Sequence, residues 1–317
     1  MYMDYEYKYI KYKTKYLNLM QNQSGGTNPN SIIFTQAHVK RIRYKGTKDG
    51  GDYVNTIDND ILNENSEFRI GSISKLFMDI TILLMQEKNE LSVNDKLSKY
   101  IGSENQKNIF SKITLLDIMN HKSGMKRSSD DRKNDKIPQD QIVPKYKNAT
   151  EVMKLFIDES LFEHKKGDES YSNIGFIILG AVIEKITGIN NYSKIIKKYL
   201  LNPLGMKHTD IGETNIKLYN ENGKPLSENA FNEIYYAASS GGFYSTVHDM
   251  IMFAEHFPRL FKDPQIIELL DICHVNDMGI MIQHGGLIQG GASMFSAEYT
   301  QKFEFVDCRI EFDTVVE

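Results

Sequence analysis

The segment that most restricts the fold is Phe68 to Met85, FRIGSISKLFMDITILLM, a helical pattern that is apolar on nearly every face. Such a helix has to sit in the middle of a structure, covered on all sides. Yet it carries Lys75, and it opens at Ser72 behind a glycine. At a helix N-terminus the free backbone N–H groups and the positive dipole end favour a developing alkoxide, and Lys75, one turn along, shares the face of Ser72. A serine hydroxyl becomes a nucleophile only when a nearby base takes its proton, and a desolvated lysine can do so. The bare S-x-x-K string is a weak signal, because Ser123-Gly124-Met125-Lys126 repeats it before a charged loop instead of an apolar helix. Without further motifs, Ser72 also reads as a helix cap with a lysine snorkelling to solvent.

Two further triplets have the same character. Tyr171-Ser172-Asn173 leads directly into the apolar stretch IGFIILGAVIEKITG. A buried phenol beside a lysine ammonium is biased toward phenolate and can act as a general base; without such a partner, Tyr171 is a core tyrosine. Tyr-x-Asn occurs elsewhere, at Tyr16 and Tyr53, so the spacing alone decides nothing. His284-Gly285-Gly286 falls on a predicted strand, IMIQHGGLIQGG, whose glycines permit close backbone approach. The other histidines show no ligand spacing: His248 and His256 are eight apart and there is no H-E-x-x-H. A zinc site is disfavoured, and no cofactor is indicated.

Charge narrows the partners. With 38 basic and 42 acidic residues the formal charge is −4, so no global positive field draws nucleic acid or anionic lipid. A small-molecule or peptide substrate fits better than a polyanion. The one local exception is the start, MYMDYEYKYIKYKTKYLNL, where Tyr5, Tyr9, Tyr12 and Tyr16 line one helical face but residues 1–16 net only +2. Charges run through it to Leu17, so it lacks the apolar core of a secretory signal. The longest apolar stretch, Leu76–Met85, is interrupted by Asp79 and Thr81 and is too short to span a bilayer. Cys273 and Cys308 have no paired spacing and point mildly to a reducing, cytoplasmic compartment.

A linker, QNQSGGTNPNS, separates this leader (residues 1–30) from a body spanning 31–317. Ser31–Tyr44 reads as one or two strands, and Lys45–Gly51 as turn chemistry. Helical patterns recur from Ser72 and at Leu115–Asn120, Glu151–Phe162, Ile174–Thr187 and Tyr192–Leu200, while 125–144 reads as a solvated loop. Strand character returns at Gly279–Gln289 and Lys302–Val316. Sheet regions at about 31–71 and 235–317, with a helical region at about 72–234 between them, predict an α/β (α+β) fold: a sheet flanked by helices with an inserted all-α region.

In this order and context, S-x-x-K, Y-x-N and H-x-G resemble the serine β-lactamase and penicillin-binding-protein-like family, in its class C β-lactamase, D-alanyl-D-alanine carboxypeptidase and esterase branch. Relatives carry S-x-x-K with S-D-N and K-T-G; here Tyr171-Ser172-Asn173 and His284-Gly285-Gly286 take those places. Further family-like strings are LSVNDKLSKYI, LLDIMNHKSGM, NPLGMKHTDI and SSGGFYSTVHDMIMFA, so the resemblance covers about Ile32 to Asp307. It implies an antiparallel sheet and makes Ser72 the acylated nucleophile, Lys75 its proton partner and Tyr171 the general base. Asn173 would orient Lys75 and a substrate amide. His284 would bond Tyr171 or a substrate carboxylate, and the N–H groups of Ser72 and of Leu287, after Gly286, would form an oxyanion hole. The implied reaction is acyl transfer to water from an ester, amide or β-lactam.

Two departures matter. The family finishes with a long helix on the sheet, whereas this sequence stops 33 residues after His284. The tyrosine face of the leader is expected to cover the sheet instead. Histidine also replaces the lysine of K-T-G, which weakens the case for an anionic β-lactam. A catalytically silent binding or structural protein on the same fold is the alternative. The leader itself resembles those of proteins from large DNA viruses of amoebae, implying a host cytoplasm or a virion.

Overall fold

A computed structural model describes residues 41–47, 50–56, 65–101, 110–127, 148–154, 157, 161–212, 214, 238–288 and 291–314. In chain order they form β1 (Arg41–Thr47), β2 (Gly50–Thr56), the short β3 (Phe68–Arg69), α1 (Ile73–Glu87), α2 (Leu115–Met119), α3 (Ala149–Met153), α4 (Asn173–Thr187), α5 (Tyr192–Ile196), β4 (Asp210–Ile211), α6 (Ala238–Gly241), β5 (Phe243–Ser245), α7 (Val247–His256), β6 (Cys273–Asn276), β7 (Gly279–Ile288), β8 (Gly291–Tyr299) and β9 (Phe305–Thr314). Six strands make one antiparallel sheet in the order β2-β1-β9-β8-β7-β6, and β3-β5-β4 form a second, small one.

Helix α1 is buried without interruption from Ile73 to Met85, as its all-round apolar pattern requires. It packs against α4, α6, the π turn Lys197–Leu201 that continues α5, and strands β7 and β8. Strand alternation supplies the apolar surface it meets. Ile280, Ile282, His284 and Gly286 of β7, Phe295, Ala297 and Tyr299 of β8, and Cys308, Ile310 and Phe312 of β9 are buried, whereas Glu298 and Arg309 point away and are exposed. Aromatic pairs fix the layers, Phe68 on Phe312 at 5.2 Å and Phe253 of α7 against Phe295 at 5.5 Å between ring centroids.

Inside the helical layer, a buried carboxylate supplements two helix caps. Glu184 of α4 accepts from the N–H groups of Ala149 (3.0 Å), Thr150 (2.9 Å) and Tyr192 (3.0 Å), so it satisfies the first turns of α3 and α5 together. Among the described residues no single helix is long and apolar enough to cross a membrane; α4 and the segment after it pass such a test only as a pair bent by 71°.

Several elements differ from the sequence-based expectation. Strands β1 and β2 run into the Lys45–Gly51 turn segment, pairing Gly46 with Gly51 and Thr47 with Gly50, because a two-residue connection suffices for a hairpin. The helix expected at Glu151–Phe162 begins earlier, capped by Asn148, and is described only as far as Met153. Phe162 instead bridges Met125 as an isolated β pair. Within the region assigned to sheet from 235 onward, α7 is helical; its cap is Thr246, whose side chain accepts from the Asp249 N–H. The leader, the linker, 31–40 and most of the 125–144 loop lie outside the described residues.

Strand β7 approaches the start of α1 at a glycine. A Cβ on Gly286 would lie 2.0 Å from the Ile70 carbonyl oxygen and 2.3 Å from Ser293 Oγ, whereas one on Gly285 would meet nothing nearer than 3.9 Å. Ser293 Oγ donates to that same carbonyl at 2.7 Å, locking β8 to it as well. Gly286→Ala is therefore expected to lower stability by about 1–3 kcal/mol in a urea melt, the range of overpacking. Gly285→Ala is expected to leave the midpoint near that of wild type.

Candidate active site

The chain enters α1 through a tight turn. Gly71 adopts φ 50°, a conformation that favours glycine, and the N–H groups of Ile73 and Ser74 bond back to Ile70 and Gly71. Ser72 is consequently already helical (φ −65°, ψ −8°), and its side chain makes no capping bond. Its hydroxyl is left for other partners. Tyr171 donates its O–H to Ser72 Oγ at 2.7 Å, and Lys75 Nζ donates to the same oxygen at 3.1 Å. Lys75 is only 1% exposed, so it does not snorkel. This geometry removes the helix-cap reading of the pair.

Lys75 is held by neutral groups. Nζ donates to the Ser240 carbonyl of α6 at 2.5 Å and lies 4.9 Å from the ring centroid of Tyr171 and 5.4 Å from that of Phe176. Burial pushes the amine well below the ordinary lysine range; Asp79, one turn further along α1, opposes that shift, and Arg127 adds to it.

Tyr171 is clamped by its neighbours in sequence and by one loop. Ser172 caps α4, accepting from the Gly175 N–H at 3.0 Å and donating to the Lys126 carbonyl at 2.5 Å. The Asn173 N–H donates to the Arg127 carbonyl at 2.6 Å. From the same loop, the His121 ring lies 4.3 Å from the Tyr171 ring, and the Arg127 guanidinium 5.4 Å from it. His121 Nδ1 accepts the Ser172 N–H at 3.2 Å, fixing the tautomer that leaves Nδ1 unprotonated. Burial, with Lys75, His284 and Arg127 nearby, pushes His121 well below its usual range.

The structure therefore brings Ser72, Lys75 and Tyr171 into direct contact. His284 is buried on the helix-facing side of β7, where its Nδ1 shares a 2.7 Å hydrogen bond with the Gly285 carbonyl. Gly286 abuts Ile70, which puts the backbone of Leu287 one residue from that approach. Lys75 donates its hydrogen bonds to Ser240 and Ser72, and among the described residues the Asn173 side chain makes no recorded hydrogen bond. As the first residue of α4, Asn173 is fixed through its backbone to the 121–127 loop. Sequence reasoning missed His121, Arg127 and Ser240. The strings N-H-K-S-G-M and S-S-G-G-F-Y contained the signal for the first and third. Among the described residues no three His, Cys, Asp or Glu side chains cluster in a way that would hold a metal ion.

The family model described as Beta-lactamase matches residues 48–288. Protein flp of Staphylococcus aureus (strain MW2) is 28% identical over 155 residues, covering 48% of this chain and 29% of flp. The chain thus spans less than a third of that relative's length. The octameric penicillin-binding protein homologue from Pyrococcus abyssi superposes with a TM-score of 0.66 at 16% identity, over 96% of this chain and 73% of that one. A D-stereospecific amidohydrolase from Streptomyces sp. does so at 0.63 and 18% identity, over 88% and 89%. The architecture is that of the β-lactamase/transpeptidase fold, shared with penicillin-binding proteins and class C β-lactamases.

Burial, with the nearby Lys75, lowers the His284 pKa from 6.5 to about 4. Because the unfolded chain binds this proton more readily, the contribution of neutral His284 to stability is complete above about pH 6.5 and is lost as pH falls toward 4. His284→Asn is expected to flatten the pH dependence of the melting temperature in that window. A slope equal to that of wild type would show that His284 is not the group responsible.

Proposed function

The chain belongs to the β-lactamase family, and from that premise we propose that it is a serine hydrolase which transfers an acyl group to water through an ester on Ser72. The observation that carries this reading is the Ser72 hydroxyl, 2.7 Å from the Tyr171 oxygen and 3.1 Å from Lys75 Nζ, both within reach for proton transfer.

A buried lysine and a tyrosine that share one proton fewer than their full complement, as neutral amine with phenol or as ammonium with phenolate, form an acceptor for the serine proton. As Ser72 Oγ bonds to the substrate carbonyl carbon, its proton passes to that pair. The N–H groups of Ser72 and Leu287 stabilise the oxyanion, each such donor being worth roughly 2.7–4 kcal/mol in the transition state. The pair then returns the proton to the leaving oxygen or nitrogen as the acyl bond breaks. In the second half a water gives its proton to the same pair and attacks the ester, and Ser72 recovers its proton. Substrates of this chemistry are small esters, amides or β-lactams, including peptides; the amidohydrolase likeness supports amides among them.

Covalent labelling by a fluorophosphonate and by a fluorescent penicillin, with turnover of a p-nitrophenyl ester and nitrocefin, tests this directly. The expected result is labelling and turnover that vanish in Ser72→Ala, with Tyr171→Phe slowing turnover by about 10²–10⁴-fold. Folded protein that neither labels at Ser72 nor turns over any of these substrates would reject the proposal in favour of a silent binding protein.

A further inference from the structure

The proton transfers above use every ionisable group in contact with Ser72, but one buried acid beside them has no part in that scheme. Asp79 lies four residues after Lys75 on α1 and is 3% exposed. Among the described residues no donor reaches its buried Oδ1. On an α-helix, residues four apart stack on one face, and each side chain leans back over the turn before it. The Asp79 carboxyl therefore leans over the turn that carries Lys75, while the lysine leans back in its turn toward Ser72 and reaches the Ser240 carbonyl. No direct ion pair of 4.0 Å or less joins the two, since Nζ is committed to those oxygens. An isolated charge of either sign in this apolar helix would be costly. Two opposite ionisable groups on the same buried face offset that cost jointly, each favouring the charged form of the other through the low-dielectric helix face.

We infer that Asp79 is a positioning residue for the Ser72 site, acting through Lys75: the two buried groups, one helical turn apart on the same face, are electrostatically coupled, so the charge state of the carboxyl decides when the lysine is free to accept a proton. This rests on the reading of Lys75 as proton partner, but the coupling itself exists whether or not the protein turns over a substrate. The groups facing Lys75 from other elements are Arg127 and His121 of the 121–127 loop, Tyr171 before α4, and His284 of β7. Arg127 disfavours a proton on Lys75, as a charged His121 or His284 would. Asp79 is the acid that opposes them. The same coupling acts in reverse: burial raises the Asp79 carboxyl well above its ordinary range, and Lys75 is the group that pulls it back down.

The experiment is a pH titration of folded full-length protein by NMR, following the Lys75 ¹³Cε and the Asp79 ¹³Cγ signals. In Asp79→Asn the Lys75 midpoint is expected to fall by about one pH unit or more, a tenfold loss of proton affinity. In Lys75→Met the Asp79 midpoint is expected to rise by a comparable amount, because coupling between two sites is reciprocal. A Lys75 midpoint that moves by less than about 0.3 unit in folded Asp79→Asn would overturn the inference. If that variant does not fold, an unmoved Asp79 midpoint in Lys75→Met would do the same. Neither readout needs turnover, so failure of the hydrolase reading, seen as absent Ser72-dependent labelling and hydrolysis, is a separate result.

Discussion

The arrangement depends on one costly act, the burial of the Lys75 amine inside an apolar helix. An ammonium removed from water loses several kcal/mol of solvation unless polar groups replace the water, and here the replacements are a backbone carbonyl, a hydroxyl and two aromatic faces. None of these carries a full negative charge. The amine is therefore held well below the ordinary lysine proton affinity, chiefly by burial, which makes the neutral form that can accept a proton more accessible. The same helix supplies Ser72 with its backbone environment, so stability and reactivity are set by a single segment.

Holding the amine there requires parts of the chain far apart in sequence to meet within a few ångströms. The 121–127 loop is fastened to the start of α4 by three hydrogen bonds, from Ser172 and Asn173, and this fixes the Tyr171 ring. Strand β7 comes up against Ile70 because residue 286 has no side chain, and β8 is tied to the same carbonyl through Ser293. Glu184 joins α3 and α5 to α4 behind the site. Each device satisfies backbone groups that would otherwise be buried without partners. The rigidity that places the Ser72 hydroxyl therefore comes from ordinary hydrogen-bond satisfaction, concentrated at the helix starts that surround it.

Much of this was legible in the sequence where side-chain chemistry and local pattern coincide. Ser72 and Lys75 stood out because a lysine in an all-apolar helix conflicts with its surroundings, and Tyr171 because a polar triplet opened another such helix. The choice between a nucleophile and a helix cap was not legible, because it turns on Gly71 taking a positive φ and Ser72 entering the helical region. Ser240 was invisible for a different reason: it acts through its main-chain carbonyl, which any residue possesses. Arg127 and His121 are placed by a loop whose sequence is polar and irregular, and their approach to Tyr171 depends on tertiary contacts. The helix of α3 starts earlier than its apolar pattern predicts because Asn148 and Glu184, the latter distant in sequence, satisfy its first turn.

The histidine at position 284 follows from the same electrostatic constraint. The resemblance of the sequence implies that it takes the place of a lysine; it is 4% exposed, and its proton affinity is depressed by burial and by Lys75. A second ammonium there would face the first across a dry space, and each would drive the other toward deprotonation. A neutral imidazole removes that conflict while keeping a polar ring on the strand that borders Ser72. Near neutral pH, β7 thus presents a hydrogen-bonding group and no charge at this position. For the proposed hydrolase, recognition at that edge would then rest on shape and hydrogen bonding more than on charge attraction, which would suit uncharged esters and amides at least as well as carboxylates.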